Sequence, residues 1–328
     1  MVIKGDPETH RRFMREFCVW EIAGGGPDPH MKIAQWIAWN DPRVEDVAWW
    51  CGCYIGPYVI ATGEVILQDW RTAKDVVEKE ADFRAWMASN YDGFQMRRER
   101  RAIYGAKRFA DHMVGYAKWL QTNPFEGVRD FETGWHRVTQ VPGNGRYGST
   151  KLYEVLRRVG LFHHPFPDIR PRGGDSPRQA LAWLRPEEVE ILCGGNRPDT
   201  LVRVNEIAQE EKNRLRDQDG IDLDWFESEV LLCEYKQAYD GGQYPGRAHD
   251  SELGRARKIE AAFPEVHLKL WEARRTLFPH HCLGEIGNRW DGRRGLGSVI
   301  LEYDYTWSDL VYDYAATTDL ANPVRRTG

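Results

Sequence analysis

The chain has 328 residues, long enough for one large domain or two ordinary ones with a substantial buried core. Its 45 Lys and Arg stand against 50 Asp and Glu, a net charge of −5, and its mean hydropathy is −0.63, the balance of a soluble globular protein. Aromatics at 12 % exclude a disordered chain, no run approaches the ~20 apolar residues of a membrane span, and the net acidity at first argues against a nucleic-acid partner.

The N-terminal MVIKGDPETHRRFMREF lacks an apolar stretch, so no signal peptide is expected and a cytoplasmic location follows. Asp28-Pro29 reads as an N-cap and first-turn proline, opening a helix to about Asn40. Asp41-Pro42 repeats the device, and Val44, Val47, Ala48, Cys51 and Ile55 follow at helical spacing. Gly56-Pro57 ends that helix, and another is predicted over Glu64–Trp70. A long helix is predicted over about 94–121, with Ile103, Ala106, Ala110, Met113, Ala117 and Leu120 on one face. Its first half carries Arg97, Arg98, Arg100, Arg101, Lys107 and Arg108. Further helices are predicted at about 177–193, 200–217, 224–239 and 250–262. Strand-like alternation is rare, and Ser298–Tyr305 is its best short example. The expected fold is all-α.

The charge is unevenly spread. Residues 94–172 hold 15 Lys and Arg against 7 Asp and Glu, a net of +8 that leaves −13 for the rest. A single charge run is usually a solvated helix face. Here its neighbours matter more. Val128, Phe131, Trp135 and Val138 space as one helix face, and Leu152, Val155, Leu156 and Val159 as another. Between them lies Val141-Pro142-Gly143-Asn144-Gly145, followed by Arg146. Helix, Pro-Gly-x-Gly, helix over 128–160 is the layout of a helix-hairpin-helix element. Its glycines let bare backbone N–H groups approach a phosphate, and the second helix points its positive end at the same anion. Pro142, Gly143, Asn144, Gly145 and Arg146, with Arg170 beyond them, are the expected DNA contacts.

Asp168-Ile169-Arg170 lies some twenty residues past the hairpin. Over roughly residues 30–185 this resembles the helix-hairpin-helix DNA glycosylase superfamily, in which an aspartate at that distance is catalytic. Val141 stands in place of the usual leading Leu, and the Asp-to-Arg spacing is shorter. Tyr147 occupies about the position of the lysine in bifunctional members, which argues against Schiff-base lyase chemistry.

A second resemblance rests on LLCEYKQ (231–237), YPGRAHD (244–250), the early PHMKIAQWIAWNDPRVEDVAWW (29–50) and the Asp168–Arg178 stretch. These look like the phage amino acid:DNA transferases, also called alpha-glutamyl/putrescinyl thymine pyrophosphorylases, distant relatives of DNA glycosylases. The resemblance implies a glycosylase-like region over 1–185 and a helical region over 186–328 that completes the active site. It also implies a partner and a reaction. In double-stranded phage DNA carrying a pyrophosphorylated 5-hydroxymethyluracil, an amino acid or polyamine displaces the pyrophosphate.

The residues suit that chemistry. The attacking amine must lose a proton, so a carboxylate is needed: Asp168 first, with Asp250 or Glu234 in reserve and Lys236 beside them. The leaving pyrophosphate needs cationic donors, for which Arg97, Arg101 and Arg247 are candidates; Mg²⁺ is the one cofactor this leaving group would invite. Trp36, Trp39, Trp49 and Trp50 could wall a pocket for a flipped base, though aromatics at helical spacing are more often core. The six cysteines form no CxxC pair and read as reduced thiols. His163-His164 and His280-His281-Cys282 point apart as neighbours, so no metal site is expected. Two rivals share the motifs. One is a true glycosylase cleaving an N-glycosidic bond, and the other is a helical DNA-binding protein without catalysis.

Overall fold

Where apolar residues recur at helical period and β-alternation is scarce, the chain buries its faces helix against helix. The computed structural model describes residues 6–23, 26–169, 175–239 and 247–278, and among these every regular element is a helix. In chain order these are α1 (Pro7–Ala23), α2 (Pro29–Asn40), α3 (Val47–Ile55), α4 (Ile60–Asp69), α5 (Ala73–Glu78), α6 (Glu80–Asn90) and α7 (Ala106–Leu120). Then come α8 (Phe131–Thr139), α9 (Arg146–Arg158), α10 (Asp175–Leu184), α11 (Val189–Leu192), α12 (Pro198–Asp219), α13 (Trp225–Tyr239), α14 (Arg247–Ala262) and α15 (Leu270–Leu277). The fold is all-α. The strand expected at 298–305 lies outside the described residues. No described helix is long and apolar enough to cross a membrane.

The chain divides into two compact units, neither continuous in sequence. One, the terminal unit, comprises Met1–Pro29, Phe166–Asp250 and Phe278–Gly328. The other, the hairpin unit, comprises His30–Pro165 and Ser251–Leu277. The boundary expected at residue 185 therefore falls inside the terminal unit, where the α1 and α13 side chains bury the helix that ends there.

The terminal unit packs Phe13 and Phe17 of α1 with Leu181 of α10, Val204 and Ile207 of α12, and Leu231 and Tyr235 of α13. Within it, His10 Nδ1 lies 2.5 Å from the Tyr235 hydroxyl. The hairpin unit is built around fully buried Trp49, Trp50, Phe83 and Tyr116. The Trp49 indole donates to the Trp70 carbonyl at 2.7 Å and that of Trp50 to the Ala34 carbonyl at 2.8 Å. With their N–H groups satisfied, each ring removes ~200 Å² from water, about 5 kcal/mol at ~25 cal/mol per Å². Both are core; Trp39, by contrast, is 63 % exposed.

Three expected helices differ in detail. The one assigned to Asp41-Pro42 starts later, at Val47, because Asp46 is the cap: its carboxylate accepts from the Trp49 N–H at 2.9 Å. Asp41 instead binds Arg43 at 2.6 Å, and Arg43 also reaches the fully buried Glu64 at 2.9 Å. The long helix over 94–121 is broken into a 3-10 helix at Arg98–Ile103 and α7, with Gly105 between them at φ +100°. The helix over 177–193 is interrupted at Pro186, which has no N–H to continue the ladder of α10.

Candidate nucleic-acid interface

Helix α8 ends at Thr139 and α9 begins at Arg146, so the Pro-Gly-x-Gly segment is the connection between two helices, as its sequence predicts. The Asn144 N–H donates to the Val141 carbonyl at 3.2 Å and closes a four-residue turn. Pro142 takes its second position and Gly143 its third, at φ +77°, the left-handed conformation that a type II turn demands there. A Cβ on Gly143 would also sit 2.9 Å from Ile103 Cγ2. Gly145 then enters α9 extended, at φ −80° and ψ −177°, and provides no side-chain cap. A helix leaves its first N–H groups without intrahelical acceptors. At this end of α9, Pro142, Gly143 and Gly145 are exposed.

Beneath the turn lies a buried cation. Arg100, 4 % exposed, donates from Nε to the Gly56 carbonyl and from Nη2 to Asn144 Oδ1, both at 2.9 Å. Its Nη2 is also 3.2 Å from His112 Nε2. His112 Nδ1 lies 2.6 Å from the Pro142 carbonyl. A carbonyl can only accept, so Nδ1 carries the hydrogen and the Nε2 lone pair faces Arg100. Burial, together with the Arg100 charge, pushes His112 down to about 3, so it is neutral at ordinary pH. Burial also lowers Arg100, to about 10. Among the described residues the hydrogen-bond partners of Arg100 are a carbonyl, an amide and an imidazole. Its positive charge therefore stays uncompensated by direct carboxylate contact, and it adds to the potential that an approaching phosphate meets.

A second group of side chains in the same unit joins Arg97, a candidate from the sequence, to Lys151, which sequence reasoning missed. Lys151 on α9 is 5 % exposed, with Nζ 5.8 Å from the Tyr58 ring centre and 5.7 Å from that of Tyr147. The Arg97 guanidinium lies over the other cation's ring, 4.7 Å from the Tyr58 centre, and its Nη2 is 3.1 Å from His30 Nε2. His30 in turn is 3.5 Å from Glu252. Lys151 was legible in principle. It sits one helical turn before Val155, on the face that spacing assigns to the core. The basic run 97–101 does not present one surface, because three residues per 3-10 turn place Arg97 with Arg100 and leave Arg98 and Arg101 exposed.

The remaining candidates belong to the terminal unit. Asp168 is half-buried, and its Oδ2 accepts from Asn205 Nδ2 at 3.1 Å. Glu234 and Lys236 are half-buried on α13. Glu21 of α1 is held well above the usual carboxylate range by burial and by the Glu234 charge. Cys233 donates from Sγ to Glu229 Oε1 at 3.7 Å within the same helix. Arg247 and Asp250 fall in the first turn of α14, while their side chains, Arg170, His280-His281-Cys282 and the 292–295 segment lie outside the described residues. Among the described residues no three His, Cys, Asp or Glu side chains are grouped to hold a metal ion.

Comparison with protein-family models, with curated proteins and with solved structures finds no match. The charge, however, follows the architecture. The hairpin unit holds 25 Lys and Arg against 20 Asp and Glu, a net of +5, and the terminal unit 20 against 30, a net of −10. The hairpin and the Lys151 group lie on the positive unit.

Proposed function

We propose that the chain acts on DNA, as an amine transferase at a 5-pyrophosphorylated thymine analogue. One observation carries the DNA part of this reading: the Val141–Asn144 turn, exposed at Pro142 and Gly143, entering a helix whose N-cap glycine gives no side-chain cap, over the buried Arg100 cation, in the unit of net positive charge. Bare N–H groups and a helix N-terminus grip backbone phosphates and read no sequence, which suits an enzyme that finds its target by the chemistry of one base. The transfer chemistry rests on the resemblance of the 231–237 and 244–250 motifs to amino acid:DNA transferases.

In the proposed step the amine nitrogen attacks the exocyclic methylene carbon, the carbon–oxygen bond to pyrophosphate breaks, and pyrophosphate leaves with the bonding pair. The new secondary amine gives its extra proton to a carboxylate. We assign that role to Asp168, oriented by Asn205, with Glu234 and Asp250 in reserve. Arg247, in the unit of Asp168, is the assigned donor to the leaving pyrophosphate, and Arg97 and Lys151, beside Tyr58 in the hairpin unit, are assigned to DNA phosphate. Arg101, exposed on the opposite face of its turn, is assigned to the DNA backbone.

The test is nucleoside mass spectrometry after incubation with pyrophosphorylated DNA and a panel of amino acids and polyamines. A new base adduct with stoichiometric pyrophosphate is the expected result. Abasic sites instead would make the protein a glycosylase, and unchanged DNA with retained binding a non-catalytic partner. Asp168→Ala should abolish transfer while DNA affinity stays within twofold. Full activity in that variant would remove Asp168 from the mechanism.

A further inference from the structure

Asp168 and Asn205 lie in the terminal unit, where Asn205 Nδ2 donates to Asp168 Oδ2 at 3.1 Å. An ionised carboxylate only accepts, so this bond fixes which way the amide faces: its nitrogen meets Asp168, and its oxygen is left for another donor. That oxygen, Asn205 Oδ1, is buried and accepts no hydrogen bond among the described residues. Buried acceptors are rarely left in that state.

The helix itself supplies no donor. Three and four residues away along α12, on the face that Asn205 shares, stand Leu201, Val202, Ala208 and Gln209. The first three have no side-chain N–H or O–H, and Gln209 commits its amide nitrogen to Asn213 Oδ1 at 2.8 Å. The neighbouring charges are matched among themselves, since Arg203 pairs with Glu188, Glu206 and Glu210. Val202, one turn before Asn205, is 59 % exposed and brings this face of α12 to solvent.

We infer that Asn205 Oδ1 and Asp168 together hold the primary ammonium of an amine, an assignment that rests on the transferase reading only for the amine's later fate. The missing group must donate to Oδ1 beside a carboxylate. A primary ammonium carries three hydrogens on one nitrogen and serves both oxygens, whereas a hydroxyl has one hydrogen to give. Asp168 has other contacts besides Asn205, but a carboxylate offers about four acceptor sites. The net charge of −10 on this unit draws cations toward it. Asn205 thus has two tasks: its N–H orients Asp168, and its carbonyl receives the amine.

The experiment is isothermal titration of the full chain, without DNA, with putrescine and, separately, glycine. Tetramethylammonium, a cation with no N–H, is the control. One of the two amines should bind saturably at one site, at least tenfold more tightly than tetramethylammonium. Asn205→Leu, similar in size but without an acceptor, should weaken it tenfold or more. Asn205→Asp keeps an acceptor oxygen and gives up the N–H to Asp168, and it should bind within threefold of wild type or more tightly. Were Asn205 only a prop for Asp168, both variants would lose binding alike. Glu206→Gln, one residue along and exposed, should bind as wild type. No saturable binding of either amine, equal affinity for tetramethylammonium, equal losses in both Asn205 variants, or wild-type affinity in Asn205→Leu would overturn the proposal. Amine binding without base adducts in the nucleoside assay would instead remove the transferase reading and leave this site in place.

Discussion

Arg100 donates to the side-chain carbonyl of Asn144 at 2.9 Å, tying a 3-10 turn to the tip of a hairpin 44 residues later in the chain. The same guanidinium holds the Gly56 carbonyl, and it shares His112 with Pro142. Arg100→Ala would strand three buried acceptors and open a cavity. A loss of about 3 kcal/mol is expected, in the range for breaking a buried polar network. Urea unfolding followed by tryptophan fluorescence measures it, and a loss under 1 kcal/mol would show that the network does not hold the hairpin.

Two buried groups in the hairpin unit titrate in opposing senses. Glu64 is pushed up to about 7 by burial, although Arg43 and the Lys269 and Leu270 N–H groups oppose the shift. Its folded-state pKa exceeds the unfolded value of 4.5, so its contribution is fully present below pH 4.5 and is lost as pH rises through 7. His112 is depressed from 6.5 to about 3, so its contribution is present above pH 6.5 and is lost as pH falls through 3. Between pH 4.5 and 6.5 the two slopes cancel. Glu64→Gln removes the Glu64 slope, so from pH 6.5 to 4.5 the variant should lose about 3 kcal/mol more stability than the wild type, at ~1.4 kcal/mol per unit. Urea midpoints of both proteins across this range decide the matter. Parallel profiles would show that Glu64 is not held protonated.

Gly143 combines a left-handed φ of +77° with a near contact to Ile103, so Gly143→Ala meets both backbone strain and a clash. A cost of about 2 kcal/mol is expected, together with weaker DNA binding as the turn reshapes. Arg146→Gln should instead keep stability and reduce the slope of log affinity against log salt by about one, the mark of a single lost phosphate contact. Fluorescence anisotropy with duplex DNA at several salt concentrations separates the two. An unchanged slope would take Arg146 out of the interface.

Thiol reactivity should follow burial. Cys18, Cys51 and Cys53 are fully buried and raised by desolvation, whereas Cys193 is exposed. Among the described cysteines, Cys193 should label first with a disulfide reagent in the native protein, and the buried three only on unfolding. Peptide mapping after timed labelling reads the order. Early modification of Cys51 or Cys53 would mean that the Trp49–Trp50 core opens readily.

Much of this molecule is written in local sequence. Helical period marks α2, α7, α12 and α13 to within a few residues, except where Gly105 and Pro186 break the backbone. The hairpin was legible for the same reason, since Pro142 and Gly143 impose a turn through their own dihedral limits. Local signals could not distinguish Arg100 from Arg101, or reveal that Lys151 is buried beside two tyrosines. Neither could they bring Asn205 to Asp168. Those facts depend on residues dozens of positions apart, and desolvation and charge act only once packing has brought them together. By itself the sequence determined an all-helical chain with a glycine hairpin inside a basic stretch. The tertiary structure decided which of its cations are buried and gathered the net positive charge in the hairpin unit.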